Sequence, residues 1–185
     1  IILFTVLLVF FGVQEKKASS LETESSSEIG PEIKGKTKKG FTVTYVNMGF
    51  SAIAFGVLVS QFVVHANEML GPGKEDIGGL FLTSYYVAEA FIQPPAGKLS
   101  DVIGRYRATQ LAYIMCTLGF FVLAFAPSPV FLLVAVIIAG LGIGTLYVTL
   151  TVSLMDMAPS SKRGLVSGVQ NIAWGVGYFV GPMVG

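Results

Sequence analysis

Long apolar runs constrain this chain more than any other feature of its sequence. Five of them, at about 41–64, 77–97, 108–126, 130–156 and 164–185, are close to the ~20 residues that a helix needs to cross ~30 Å of hydrocarbon. They are too continuous for the ~10-residue alternating strands of a membrane barrel. Only 12% of the 185 residues are charged, about half the fraction usual in a soluble domain. The sequence therefore predicts an all-α membrane protein and excludes an ordinary soluble enzyme domain or a disordered chain.

The first 40 residues differ from the rest. The apolar run 1–13 has no basic region before it and no small-residue cleavage site after it, so we interpret it as the end of a transmembrane helix rather than a signal peptide. Residues 14–40 are rich in Ser, Glu and Lys, which is typical of a flexible hydrophilic loop. We expect the chain to be a piece of a longer protein, because it begins and ends inside apolar runs.

The basic residues predict an orientation. If 14–40 is cytoplasmic, eleven of the twelve Lys and Arg residues fall on that side after five crossings, and only Lys74 falls on the other. Cytoplasmic loops carry an excess of Lys and Arg. We therefore expect 14–40 to be a cytoplasmic loop and 41–185 to cross the membrane five times.

Four of the five runs carry a polar stripe at three- and four-residue spacing, whereas 108–126 is nearly featureless. Helices that contact only lipid and other helices need no such stripe, but helices that line a cavity do. We predict that the stripes line a substrate cavity, formed by Asn47, Ser51, Tyr86, Glu89, Gln93, Thr145, Thr149, Asn171 and Trp174.

Glu89 is the most informative residue of these stripes, because it lies near the middle of its run. An ionised carboxylate there costs about 2.5–3.5 kcal/mol on insertion scales. It is either a proton carrier or a counter-charge for a cationic substrate. The alternative is a structural glutamate, protonated or hydrogen-bonded between helices.

Catalytic and cofactor motifs do not appear in the sequence. There is no zinc-ligand spacing, no phosphate-binding loop and no nucleophile–base pair, and the chain has one cysteine and one histidine. The glycine-rich segment 139–144 has no strand before it, so we interpret it as a site of close helix packing rather than a dinucleotide loop. We expect no enzyme activity, no cofactor, no metal and, without a basic face, no nucleic-acid partner.

The segment 97–107, GKLSDVIGRYR, resembles the signature loop of the major facilitator superfamily. The matching positions are Gly97, Leu99, Asp101, Gly104 and Arg105. Gly97 would permit close helix approach, Asp101 would cap the next helix and pair with a cation, and Arg105 would latch a neighbouring helix. Val102 and Tyr106 stand where the family usually has basic residues. The resemblance implies that this loop holds one conformation of an alternating-access cycle.

The last apolar run resembles the antiporter motif of the same family, a glycine-spaced helix that ends in Gly-Pro. We predict a helix-packing role for Gly168, Gly177, Gly181, Pro182 and Gly185. Val136 occupies the position at which many members have an arginine.

The resemblance implies a twelve-helix transporter with two halves. Residues 1–13 would be the end of helix six, 14–40 the central loop, and 41–185 helices seven to eleven, packed against the missing other half of the same chain. In the alternative placement, 41–185 is the first half and has an extra helix before it.

The implied function is transport of a small solute across the plasma membrane. The Gly-Pro helix and Glu89 favour proton-coupled export of drug-like compounds, with protons as the coupling ion. Uptake of a metabolite is an alternative within the family. A channel or a non-transporting helical scaffold is an alternative of a different class.

Overall fold

The structure, a computed structural model, describes residues 31–184, with side chains for 40–184 except that of Glu75. The described residues form five α-helices and no strand, in agreement with the predicted all-α fold. These are α1 (Pro31–Leu70), α2 (Glu75–Ile103), α3 (Arg105–Ala124), α4 (Pro129–Met157) and α5 (Arg163–Val184), with a short 3₁₀ helix, Ser160–Lys162, before α5.

The helix bounds differ from the apolar runs at two ends. α1 begins at Pro31, inside the segment that we expected to be a loop. Proline is favoured at the start of a helix because its missing N–H needs no partner there. α2 continues through Pro94 and Pro95 to Ile103, beyond the predicted end at 97. The predicted end of helix six at 1–13 and the loop residues 14–30 lie outside the described residues.

Three of the described helical segments are long and apolar enough to cross a membrane: Gly40–Leu70, Arg105–Ala124 and Pro129–Met157. The other two predicted runs correspond to α2 and α5, which are 29 and 22 residues long. Charged residues in α2 and glycines in α5 lower their mean hydropathy, although their length suffices for a span.

Helix α4 packs against α2 and α3, while α1 packs mainly against α5 and also contacts α4 and α2. A Cβ placed on Gly144 would lie 2.5 Å from the backbone oxygen of Glu89 on α2. One placed on Gly142 would lie 2.7 Å from the backbone nitrogen of Cys116 on α3. Only glycine allows helices to approach this closely, which confirms the packing role predicted for segment 139–144.

The packing of α1 against α5 also depends on glycines. Gly177 packs against Ala52, and a Cβ on Gly181 would lie 2.6 Å from the Cα of Gly56. These two residues of α5 thus lie where the two helices approach closely. Pro182 borders the same contact, whereas a Cβ on Gly168 would meet nothing within 4 Å. Gly185 lies outside the described residues.

The α2–α3 and α4–α5 junctions lie at one end of the bundle, where Arg105 and Asp156 form an ion pair. The Tyr45 hydroxyl donates a hydrogen bond to the carbonyl of Val166 (3.1 Å), which joins the α1 and α5 segments next to that end. We call this the basic end, because it holds Lys98, Arg105, Arg107, Lys162 and Arg163. Lys74 precedes α2 at the opposite end, as the count of basic residues requires.

Candidate functional site

The signature loop forms an electrostatic latch at the basic end. Arg105 Nη1 lies 2.5 Å from Asp101 Oδ1, and its Nε lies 2.9 Å from Asp156 Oδ2. Nη1 also donates to Ser100 Oγ at 2.5 Å, and that hydroxyl donates to the carbonyl of Gly97 at 2.8 Å. One guanidinium thus joins the end of α2, the start of α3 and the end of α4. The expected ion pairs of Arg105 with a neighbouring helix and of Asp101 with a cation are therefore present, and a gating role for the loop stays a prediction.

Two other expectations for this loop are wrong. Asp101 does not cap α3, because Gly104 is the N-cap residue and no side chain caps the helix. Gly104 has a φ of +89°, a conformation that glycine adopts without strain, and the Asp101 carboxylate instead pairs with Arg105. Close approach is not required at Gly97 either, since a Cβ there would meet Val148 at an ordinary 3.7 Å.

Part of the predicted cavity lining lies inside the bundle. Asn47, Ser51, Thr145 and Thr149 are buried. The Ser51 and Thr145 hydroxyls donate to backbone carbonyls of their own helices at 2.7 and 2.8 Å, and Thr149 does so at 3.1 Å. Ser51 also borders a cavity of about 10 Å³ between α1, α3 and α4, which has room for about one water molecule. A role for these four residues in substrate binding stays a prediction.

The other predicted residues lie on or next to the open side of α2 and α5. Tyr86 and Asn171 are exposed, Glu89 and Gln93 are half-buried, and Trp174 is buried behind them. Glu89 lies where α2 crosses α4 at Gly144. Within residues 40–184 no Lys, Arg or His lies within ion-pair distance of its carboxylate.

Aromatic side chains from four helices meet beside Glu89. Trp174 of α5 lies 5.5 Å from Tyr147 of α4 and 5.7 Å from Tyr178, measured between ring centroids. Phe55 of α1 lies 4.9 Å from Tyr178 and 5.4 Å from Tyr85 of α2. Including Tyr86, which is 5.2 Å from Tyr85, we call this group the aromatic cluster: Phe55, Tyr85, Tyr86, Tyr147, Trp174 and Tyr178.

Two buried polar atoms in and next to the aromatic cluster have no hydrogen-bond partner in the described part of the chain. They are the Trp174 indole N–H and the Gln170 side-chain oxygen, whereas the Tyr85 hydroxyl lies beside the Glu89 carboxylate, one helical turn later on α2. The amide nitrogen of Gln170, one helical turn before Trp174, donates to Thr151 Oγ1 on α4 at 2.6 Å. Buried polar groups are nearly always paired, so exceptions require an explanation.

The predicted cavity lining included Tyr86 and Trp174, whereas sequence reasoning missed Phe55, Tyr85 and Tyr147. Phe55 carries no polar atom, so nothing in an apolar run distinguishes it. Tyr85 and Tyr147 do carry hydroxyls inside apolar runs, and that signal could have included them. Metal binding has no support in the described residues, where no group of three or more His, Cys, Asp or Glu side chains comes together.

Comparison with known proteins identifies the family. The sequence profile of the Major Facilitator Superfamily matches residues 40–185. The chain is 28% identical over 173 residues to multidrug resistance protein fnx1 of Schizosaccharomyces pombe, a match that covers 90% of this chain and 32% of that protein. It is 27% identical over 163 residues to sugar transporter ERD6-like 15 of Arabidopsis thaliana, covering 85% of this chain and 34% of that protein.

A third relative, vacuolar basic amino acid transporter 1 of Saccharomyces cerevisiae, is 32% identical over 103 residues, which cover 56% of this chain and 18% of that protein. The chain thus spans about a third or less of the length of these relatives. No solved structure gives a significant match. Its apolar helices and the match over residues 40–185 make the chain an integral membrane protein that belongs to the major facilitator superfamily.

Proposed function

We propose that this chain is part of a secondary transporter, which moves a small solute across the plasma membrane by alternating access and uses protons as the coupling ion. The observation that carries the proposal is Glu89. It is a half-buried carboxylate in the middle of α2, with no basic partner in residues 40–184. A group that is expensive to ionise inside a membrane is suited to bind and release a proton during a transport cycle.

The latch at Arg105 supports an alternating-access mechanism. It joins three helices at the basic end through partly exposed ion pairs, and such pairs are weak enough to break and re-form. Opening the bundle at the basic end would separate Arg105 from Asp156. The intact latch would then stabilise the conformation that is closed there, with the basic end cytoplasmic.

We propose export rather than uptake, because α5 carries the glycine-spaced motif that resembles that of antiporters. The name of fnx1, a multidrug resistance protein, agrees with export. The names of other relatives refer to a sugar and to basic amino acids, so uptake of a metabolite is the alternative.

We also propose that α1 to α5 are helices seven to eleven of a twelve-helix protein, with 14–40 in its central loop. The alternative is that they form the first half. The gene sequence upstream of Ile1 tests this placement. Five further apolar runs plus the start of a sixth would support it, and a start codon within a few tens of residues would contradict it.

The transport proposal is tested with the full-length protein in proteoliposomes under an imposed pH gradient. Labelled glucose, lysine and benzyltrimethylammonium serve as the probes, and accumulation above the external concentration is measured. We expect the wild type to accumulate at least one probe. Equilibration without accumulation would instead indicate a channel or an uncoupled carrier and would contradict proton coupling, and no flux of any probe would contradict the transport proposal.

The role of Glu89 is tested with Glu89→Gln, which keeps the shape of the side chain but cannot release a proton. We expect this variant to lose pH-driven accumulation while it still exchanges the probe at saturating concentration. The matched control is Glu68→Gln, which removes an exposed carboxylate near the end of α1 and should behave like the wild type. Unchanged accumulation in Glu89→Gln would exclude proton coupling through this residue.

A further inference from the structure

We propose that Glu89 and the aromatic cluster form a binding site for a small organic cation, namely a protonated or quaternary amine with an apolar substituent. The proposal rests on the transport function above and names the substrate class of that site. It is independent of the coupling ion and of the direction of transport.

The geometry of the rings suits a cation. Trp174 and Tyr178 of α5, Tyr147 of α4 and Phe55 of α1 lie 4.9–6.5 Å apart between the centroids of neighbouring rings. A cation is attracted to the face of an aromatic ring when it lies within about 6 Å of the centroid, and tryptophan is the strongest partner. Rings from three helices could therefore contact the same ligand.

The charge of the site favours a cation over an anion or a neutral solute. Glu89 follows Tyr85 of the aromatic cluster by four residues on α2, so the two side chains share a face of that helix. The carboxylate therefore lies next to the aromatic cluster. The nearest basic residue along α2, Lys98, is about 13 Å away along the helix axis, and no basic side chain of residues 40–184 forms an ion pair with Glu89.

The aromatic cluster is accessible from one side and closed on the other. Tyr86 and Tyr178 are 46% and 45% exposed, whereas Tyr85 and Trp174 behind them are at most 4% exposed. A ligand that enters from the open side would contact Tyr86 and Tyr178 first, with the rings of Tyr85 and Trp174 behind them.

The proposal is tested by equilibrium binding of labelled benzyltrimethylammonium to the full-length protein in lipid nanodiscs. The competitor is its neutral isostere neopentylbenzene, in which carbon replaces the charged nitrogen. We expect the cation to bind at least about tenfold more tightly than the isostere, since a desolvated cation–π contact contributes roughly that much. Equal affinity of the two compounds would overturn the proposal.

Two substitutions locate the site. We expect Trp174→Leu and Glu89→Gln each to weaken binding of the cation about tenfold, and Trp174→Phe, which keeps an aromatic face, to lose less than Trp174→Leu. The matched controls are Phe121→Leu, an exposed ring on α3, and Glu68→Gln, and both should bind like the wild type. Should Trp174→Leu fail to fold, Tyr178→Leu replaces it. Wild-type affinity in Glu89→Gln and in the ring variants would overturn the proposal.

The outcomes for the two proposals are distinguishable. Accumulation of glucose without binding of benzyltrimethylammonium would contradict the cation site and support the transport function. Selective binding of the cation without accumulation of any probe would retain the site and remove the transport function.

Discussion

The outer side of α3 and the open side of α2 and α5 are both exposed, but their chemistry differs. Beyond Arg107 in its first turn, the large exposed side chains of α3 are all apolar: Leu111, Ile114, Leu118, Phe121 and Phe125, the last of which directly follows the helix. The side of α2 and α5 also carries apolar residues, but among them lie Tyr86, Glu89, Gln93, Asn171 and Tyr178.

This difference indicates what each side contacts. In a membrane, an apolar surface needs no partner other than lipid, whereas a carboxylate and amides at that depth need water, protein or a ligand. We therefore infer that α3 faces lipid and that the side of α2 and α5 faces an aqueous or ligand-filled space. Substitutions on the two sides test this contrast, and substitutions at the α2–α4 crossing and at Arg105 test the contacts that hold the helices together.

The largest effect is expected from placing a carboxylate on the α3 side. Ile114→Glu should make the free energy of membrane insertion less favourable by about 3 kcal/mol, because the new charge would face hydrocarbon near the middle of α3. Asn171→Glu, the matched change at an exposed position of α5, should have a much smaller effect on that free energy. The measurement is the fraction of monodisperse protein recovered from membranes, and equal losses in the two variants would contradict the contrast.

A smaller but still severe effect is expected at the α2–α4 crossing, which positions Glu89. Gly144→Val should destabilise the fold by about 1–3 kcal/mol or more, because a Cβ there would overlap the backbone of Glu89. Gly168→Val is the control, since a Cβ at Gly168 would meet nothing within 4 Å. Thermal unfolding of the purified variants measures both. A similar loss of stability at the two positions would show that the crossing does not depend on glycine.

The smallest effect is expected at the latch. Arg105→Gln should lower the free energy of unfolding by at most about 1 kcal/mol for each ion pair lost, because both pairs are partly exposed. A double-mutant cycle with Asp156→Asn should give a coupling energy of the same size. Arg107→Gln, at an exposed neighbouring arginine, should change little. A coupling energy of zero would show that Arg105 and Asp156 do not stabilise each other.

Sequence patterns predicted much of the fold because its main features are periodic or local. Apolar runs predicted all five described helices, and the glycines of segment 139–144 predicted close packing. The count of basic residues predicted which junctions share an end. The start of α1 at Pro31 was not predicted, because a helix outside the hydrocarbon needs no apolar residues.

The candidate site was harder to predict, because it depends on contacts between helices. Glu89, Tyr86 and Trp174 were recognisable as polar or amphipathic residues in apolar runs. Phe55 acquires its role only from the crossing that brings it 4.9 Å from Tyr178, measured between ring centroids. Conversely, Thr145 and Thr149 have the spacing of a cavity stripe, yet their hydroxyls bond to their own helix, which periodicity alone cannot distinguish.

The most direct test of the contrast between the two exposed sides is the reactivity of introduced cysteines in a lipid bilayer. In a Cys116→Ala background, which removes the chain's only cysteine, Asn171→Cys on α5 and Leu118→Cys on α3 are exposed to a charged, membrane-impermeant methanethiosulfonate. We expect the cysteine at 171 to react at least about tenfold faster, because ionised thiolates and charged reagents require water. Equal rates, or an unreactive cysteine at 171, would contradict an aqueous or ligand-filled space beside α2 and α5.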